Sequence, residues 1–332
     1  MRITVAVLGG GSWGTTVAHL TAHNVPTILW ARDADVAQEV DTEHRNSRYL
    51  PGFDLHPTLR ATSSFEDAVT SADVLVMGVP SHGFRSTLES AAACVRAWVP
   101  VVSLTKGLEQ GSRLRMTQIV NEVLPGHPFG VLTGPNLAKE ILMGDAAASV
   151  IAMSDAVVAD ELQNAFTSNL FRVYTNPDII GCELAGALKN VMAIASGMAD
   201  GLGTGDNTRS MVMTRGLGEL SRLGAAMGGD QQTFAGLAGM GDLLATCISP
   251  QSRNRHVGVE LGKGRTIEAI IAEMNMVAEG VKTSRVVMEL AEEYDVEMPI
   301  AEEVFNVCHK GRSAEDAYRG LLRRETSAEM TP

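Results

Sequence analysis

Short, uninterrupted apolar runs alternate with longer periodic segments through the first half of the chain. The runs at 3–8 (ITVAVL), 27–30 (TILW), 73–80 (DVLVMGVP), 99–105 (VPVVSLT) and 128–133 (PFGVLT) are brief and mostly β-branched. Apolar residues at nearly every position, rather than every second one, mark strands covered on both faces, as in a parallel sheet. Helical patterns lie between them, among them 13–23 (WGTTVAHLTAH), 33–44 (DADVAQEVDTEH) and 111–124 (GSRLRMTQIVNEVL). This alternation predicts a doubly wound α/β domain with right-handed crossovers. Runs at 148–153 and 171–175 would extend or edge its sheet. After about residue 180 the periodicity turns helical, with glycine-rich links such as DGLGTGDN and no convincing strand. The expected division is an α/β domain over 1–180, an all-α domain over 181–325 and a frayed polar tail over 326–332.

The first helix after that junction carries an unusual residue. Leu184, Leu188, Val191 and Ala195 recur at the spacing of a core-facing stripe, and Lys189 points away from it. Its helical neighbours Cys182, Ala185, Gly186, Met192, Ala193 and Ser196 are small or apolar, and none is an acid. Lys189 is therefore either on a solvated edge or buried with a partner from elsewhere in the chain, because a buried unpaired ammonium is costly. Its place at a domain junction, where ligand sites tend to lie, makes it a candidate functional group.

Directly after the first strand, and directly before a helical pattern, stands Gly9-x-Gly11-x-x-Gly14. In that context the three glycines have separate mechanical tasks. Gly9 makes the tight turn, Gly11 lets backbone approach a pyrophosphate, and Gly14 allows close packing of helix on strand. The helix N-terminus then faces the phosphates. The first domain is thus expected to be a Rossmann-like dinucleotide site. Its ribose preference should be written after the second strand, where the chain reads LWARD. Arg32 could hold a 2′-phosphate, as in NADP, and Asp33 could accept from a 2′-hydroxyl, as in NAD. Asp33 is also the natural cap of the next helix, so the residues favour NADPH over NADH.

The chain has 332 residues, a formal charge of −12, 45% hydrophobic and 20% charged residues. The acidic balance argues against nucleic acid or an anionic membrane as a main partner, yet leaves room for a local anion site. Cys94, Cys182, Cys247 and Cys308 are far apart, which suits free thiols in the cytoplasm and no metal centre. No signal-peptide layout and no apolar run of spanning length stand out, so no integral membrane segment is expected.

Anion-binding chemistry gathers at strand ends and in one helical segment. Lys106 follows one strand, Gly134, Pro135 and Asn136 follow another with a helix starting behind them, and Ser81 and His82 end a third. In the helical half, QSRNRH (251–256) is the densest donor cluster, and Ser252, Arg253, Asn254 and Arg255 suit a phosphate. Asp242 stands alone in the apolar helix start GMGDLLATC.

Taken in order, GGGSWGTT, NSRYLPG, VPSH, TKGLE, GPNLAKE, GALKNVMAIASGMADGLG, GMGDLLATC, SRNR and EGVKT cover roughly residues 3–322. Together they resemble NAD(P)-dependent glycerol-3-phosphate dehydrogenase of the bacterial type. The resemblance implies that Lys189 is the catalytic acid/base group, with Lys106 and Asp242 beside it. It implies that Lys106, Gly134, Asn136, Lys189, Asp242, Ser252, Arg253 and Asn254 bind a phosphorylated substrate. Gly9, Gly11, Ser12, Trp13, Gly14, Arg32, Lys106, Ala138, Arg253, Val277 and Glu279 would hold the NAD(P) cofactor. Two positions depart from the family: Gly10 stands where alanine is common, and Asn136 where threonine or serine is frequent.

The reaction implied is reversible hydride transfer between NAD(P)H and dihydroxyacetone phosphate, giving sn-glycerol 3-phosphate for phospholipid synthesis. A homodimer is the default assembly. The alternatives are a related two-domain hydroxy-carboxylate dehydrogenase, since arginine grips carboxylate as well as phosphate, and a non-catalytic NADPH sensor.

Overall fold

The computed structural model describes residues 3–274 and 278–323. By internal contacts the chain divides after Ile179 into two compact units.

The first unit is built on eight strands: β1 (Val5–Leu8), β2 (Thr27–Trp30), β3 (Arg60–Thr62), β4 (Val74–Met77), β5 (Val101–Ser103), β6 (Phe129–Thr133), β7 (Ala147–Met153) and β8 (Phe171–Asn176). Their order across the sheet is β3-β2-β1-β4-β5-β6-β7-β8. Every neighbouring pair is parallel except β6 with β7. Seven helices connect them: α1 (Ser12–Ala22), α2 (Ala34–Glu43), α3 (Phe65–Ser71), α4 (Ser81–Ala92), α5 (Met116–Val123), α6 (Ala138–Met143) and α7 (Ala156–Phe166). Alternate residues of β1 feed opposite cores: Val5 and Val7 pack with one apolar cluster, Ala6 and Leu8 with the other. Both faces are covered, which is why the strands read as unbroken apolar runs. The Rossmann-like expectation holds.

Three details differ from the sequence reading. β3 lies at an edge, and its Arg-Ala-Thr is half-exposed or exposed, so it carries no apolar run to detect. The segment 111–115 is not helical; α5 begins only at Met116. Ser81 and His82 do not end a strand but open α4.

The second unit is all-helical. It comprises α8 (Ile179–Gly201), whose first residue lies at the unit boundary, α9 (Asp206–Ala226), α10 (Gln231–Ala235), a π-helical turn (Leu237–Gly241), α11 (Asp242–Ile248), α12 (Arg253–Gly262), α13 (Ile267–Glu273), α14 (Glu279–Glu293), α15 (Pro299–Lys310) and α16 (Ala314–Leu322). Among the described residues α8 is long and apolar enough to cross a membrane by composition, contrary to the expectation that no run reaches that length. Almost all of it is buried inside the structure, so it is a core helix.

Glycine sets the spacing of α8 against α12. A methyl added at Gly197 would lie 2.2 Å from the Arg255 carbonyl oxygen, and one at Gly258 would lie 2.1 Å from that of Ile194. One turn on, Gly201 and Gly262 meet Val259 and Met198 in the same way. The two helices therefore touch backbone to backbone, which no other residue permits.

Candidate active site

The loop after β1 is held by main chain on both sides. The Gly9 amide donates to the Trp30 carbonyl (3.0 Å), and the Gly78 amide donates to that of Leu8 (2.8 Å). Gly9 has φ +131°, and an added methyl would sit 2.6 Å from the Gly78 oxygen. A methyl at Gly14 would sit 2.1 Å from the Gly9 oxygen, so helix and strand are in contact there. At Gly11 a methyl would meet nothing within 4 Å. That open side, with no side-chain cap on α1, leaves the first-turn N–H groups free for an anion. The cradle fits a dinucleotide pyrophosphate, with each glycine in its expected place.

The segment NSRYLPG supplies a support that sequence reasoning missed. Asn46 is fully buried, and its amide donates to the Gly10 carbonyl (3.0 Å) and to Thr15 Oγ1 (2.9 Å). Ser12 Oγ donates to the Tyr49 carbonyl (3.0 Å), tying the same segment to the start of α1. Trp13 packs edge-on against Phe171, and its buried indole N–H has no partner. At the ribose position Arg32 is exposed, and Asp33 caps α2 by accepting from the Asp35 amide (3.0 Å), as its position predicts.

At the ends of β5 and β6, Lys106 Nζ donates to the Gly134 carbonyl (2.9 Å). Gly134 has φ +140° and presses against the Ala148–Ser149 backbone. Asn136 Oδ1 accepts from Ser149 Oγ (2.5 Å), whereas its buried Nδ2 and the neighbouring Thr133 Oγ1 have no partner. Such orphaned polar atoms at a strand end suit a polar ligand, because burial without one is costly. The helix expected behind them, α6, starts at Ala138 but has only six residues, too few to act as an anion site by itself. The side-chain donors are the stronger feature.

In the helical unit, Lys189 is buried, and its partner comes from another helix. Nζ lies 2.8 Å from Asp242 Oδ1, with the two side chains 5% and 2% exposed. Nζ also donates to Thr246 Oγ1, whose own hydroxyl donates to the Asp242 carbonyl (2.7 Å). The π-helical turn ahead of α11 delivers Asp242, and its Gly239 lies against the Phe234 backbone. Burial pushes the adjacent Cys247 thiol up to about 12, with the Lys189 charge opposing.

The SRNR segment divides its labour. Ser252 caps α12 by accepting from the Arg255 amide (3.2 Å), and Arg255 is held by Asp200 of α8, away from the anion role first considered for it. Asn254 Nδ2 donates to Asn190 Oδ1 (2.9 Å), and its Oδ1 accepts from the Gly280 amide (2.9 Å). That leaves Asn254 one N–H for a ligand. Arg253 opens α12 with an exposed side chain, though crowding around its head lowers the guanidinium pKa and nearby Glu279 opposes this. It stays cationic at neutral pH. Glu279 is the first residue of α14, and Val277 lies outside the described residues.

Asn46, Asn190, Asp200 and Thr246 were not anticipated. All four lay inside motifs already singled out, but their partners, such as Asn254 for Asn190 and Arg255 for Asp200, are distant in sequence and follow from no local pattern. Among the described residues no group of three or more His, Cys, Asp or Glu is placed to hold a metal. In the tightest histidine cluster, His19 Nδ1 accepts from the His56 amide (3.0 Å). Its Nε2 then carries the proton of the neutral ring and has no lone pair for a metal.

Comparison with known proteins converges on one family. A family model described as the N-terminus of NAD-dependent glycerol-3-phosphate dehydrogenase matches residues 4–159, and the corresponding C-terminal model matches 178–319. A Sphingopyxis alaskensis protein named glycerol-3-phosphate dehydrogenase (NAD(P)+) 2 is 61% identical over the full length of both chains. A Mycobacterium avium protein named glycerol-3-phosphate dehydrogenase (NAD(P)+) is 58% identical over 96% of this chain and 94% of its own. Among solved structures, glycerol-3-phosphate dehydrogenase from Coxiella burnetii superposes with a TM-score of 0.92 at 35% identity, covering 97% of this chain and 99% of that one. A D-mandelate dehydrogenase shares the fold alone, with a TM-score of 0.60 at 12% identity, covering 95% of this chain and all of that one.

Proposed function

The chain belongs to the NAD-dependent glycerol-3-phosphate dehydrogenase family and is an NAD(P)-dependent oxidoreductase, and we propose from that premise how its residues divide the reaction. The family acts on a small phosphorylated substrate. The direction proposed is reduction of dihydroxyacetone phosphate to sn-glycerol 3-phosphate. The nicotinamide, when bound, supplies the hydride.

The observation that carries the assignment is a lysine buried against an aspartate. Two of the three Lys189 N–H donors go to Asp242 and Thr246. The third can meet the substrate's carbonyl oxygen. As negative charge develops there, the ammonium stabilises it and passes on a proton; in the reverse direction the neutral amine takes one up. Asp242 aims the ammonium and balances its charge. Burial excludes water, so the interaction is stronger than it would be in solvent.

Arg253, the remaining N–H of Asn254 and the Ser252 segment are assigned to the phosphate. Binding energy from that remote group helps fix the ketone in place. Lys106, Gly134 and Asn136 are assigned to the substrate as well. The glycine cradle, Ser12, Trp13, Arg32, Lys106, Ala138, Arg253 and Glu279 are assigned to the cofactor, with NADPH preferred; Val277 keeps its family role. The chain acts in the cytoplasm as a homodimer, and its product supplies the backbone of phospholipids.

The test is steady-state oxidation of NADPH and NADH by the purified protein, with dihydroxyacetone phosphate against unphosphorylated dihydroxyacetone. Turnover that requires the phosphate supports the assignment. Equal turnover of both ketones, or none of either, rejects it.

A further inference from the structure

The ribose position carries a second arginine that the glycine loop and the family motifs leave without a role. Arg48 Nη1 lies 2.5 Å from Asp33 Oδ2, while Asp33 Oδ1 accepts from the Asp35 amide. Both carboxylate oxygens are thus engaged by this chain. An ion pair with side chains 59% and 42% exposed adds little to stability, so fold maintenance is a poor account of it. The segment that carries Arg48 is nevertheless tied down on either side of it. The Arg48 guanidinium lies 5.4 Å from the centre of the Tyr49 ring, and Tyr49 and Asn46 are tied to Ser12, Gly10 and Thr15.

An acid after the second strand of such a domain accepts from a ribose 2′-hydroxyl and repels a 2′-phosphate. Asp33 stands there, next to the arginine suited to that phosphate. An uncompensated carboxylate would work against Arg32; one paired with Arg48 does not. We propose that Arg48 is a specificity-determining, positioning residue: by pairing with Asp33 it cancels the carboxylate that would repel a 2′-phosphate and so admits NADPH. The inference rests on the NADPH preference proposed above, and it acts through Asp33 without requiring Arg48 to touch the coenzyme.

The test uses coenzyme fragments, so that it does not depend on turnover. Adenosine 2′,5′-bisphosphate and 5′-AMP are titrated calorimetrically into the full-length protein and into Arg48→Gln, Arg48→Lys and Asp33→Asn/Arg48→Gln variants. In Arg48→Gln the bisphosphate should bind about tenfold more weakly, the scale of one charge-assisted interaction, with 5′-AMP little changed. Arg48→Lys should keep most of the preference, and the double variant should regain most of what Arg48→Gln loses. Equal weakening of both fragments, no weakening of either, or no recovery in the double variant would overturn the proposal. A wild-type protein that fails to prefer the bisphosphate would overturn it too. Turnover of dihydroxyacetone phosphate, measured separately, decides the activity itself.

Discussion

Lys189 and Asp242 face each other at 2.8 Å in surroundings that leave each side chain no more than 5% exposed. Neither residue's own helix supplies the other's charge, so the pair exists only in the folded chain. Replacing Lys189 with methionine should lower kcat by at least 10²–10⁴-fold, the usual worth of a general acid, while coenzyme affinity stays within a few-fold. Single-turnover kinetics with dihydroxyacetone phosphate, alongside coenzyme titration, separates the two effects. Near-normal turnover would remove Lys189 from the mechanism.

Asp242→Asn has a different expected profile. It leaves a buried ammonium without its counter-charge, so unfolding free energy should fall by about 3–5 kcal/mol, besides a loss of kcat. Urea unfolding followed by circular dichroism reads the first, and steady-state rates read the second. The double variant with Lys189→Met should recover much of the stability and none of the turnover.

Asn46→Ala removes two hydrogen bonds from the glycine-loop support. The expected result is a rise of about tenfold in coenzyme KM, consistent with 1–2 kcal/mol for buried hydrogen bonds, with kcat changed far less. A fall in kcat at constant KM would contradict a role in coenzyme binding.

Acid should weaken the fold through His19. Burial first, then the neighbouring His23 and His56, lowers its pKa from 6.5 to about 4. Between those two values the unfolded chain holds a proton that the folded chain does not, so the contribution is complete above pH 6.5 and is lost as pH falls toward 4. With partial solvent screening the loss is about 2 kcal/mol. Urea midpoints at pH 7 and pH 5 should differ less in His19→Gln than in the wild type. An unchanged difference would mean that other groups set the acid limit.

Gly258→Ala should destabilise the protein by about 1–3 kcal/mol, the range for overpacking, because the new methyl would lie 2.1 Å from the Ile194 oxygen. Substrate affinity should fall with it, as α12 carries Arg253 and Asn254. Thermal melting and the KM for dihydroxyacetone phosphate provide the two readings.

The nucleotide unit was legible because its cues are local. Gly9, Gly11 and Gly14 announce a loop whose geometry follows from their lack of side chains, and buried parallel strands show as continuous apolar runs. β3 escaped because Arg60–Thr62 sits half in water at an edge. In the helical unit, the local pattern marked Lys189 as anomalous and only the family resemblance put Asp242 beside it; Thr246, 57 positions away, was not foreseen at all. Gly197, Gly201, Gly258 and Gly262 do form two small-residue repeats at four-residue spacing. Nothing local, however, says that the repeats meet.

The Cys247 thiol, raised to about 12 beside Lys189, bears on how the enzyme fares in an oxidising cell. Thiolate is the form that peroxides and electrophiles attack, and at neutral pH almost none is present there. The sulfur beside the Lys189 ammonium is thereby held mostly as the thiol. Because Cys247 is also buried, labelling there would report loss of the native fold.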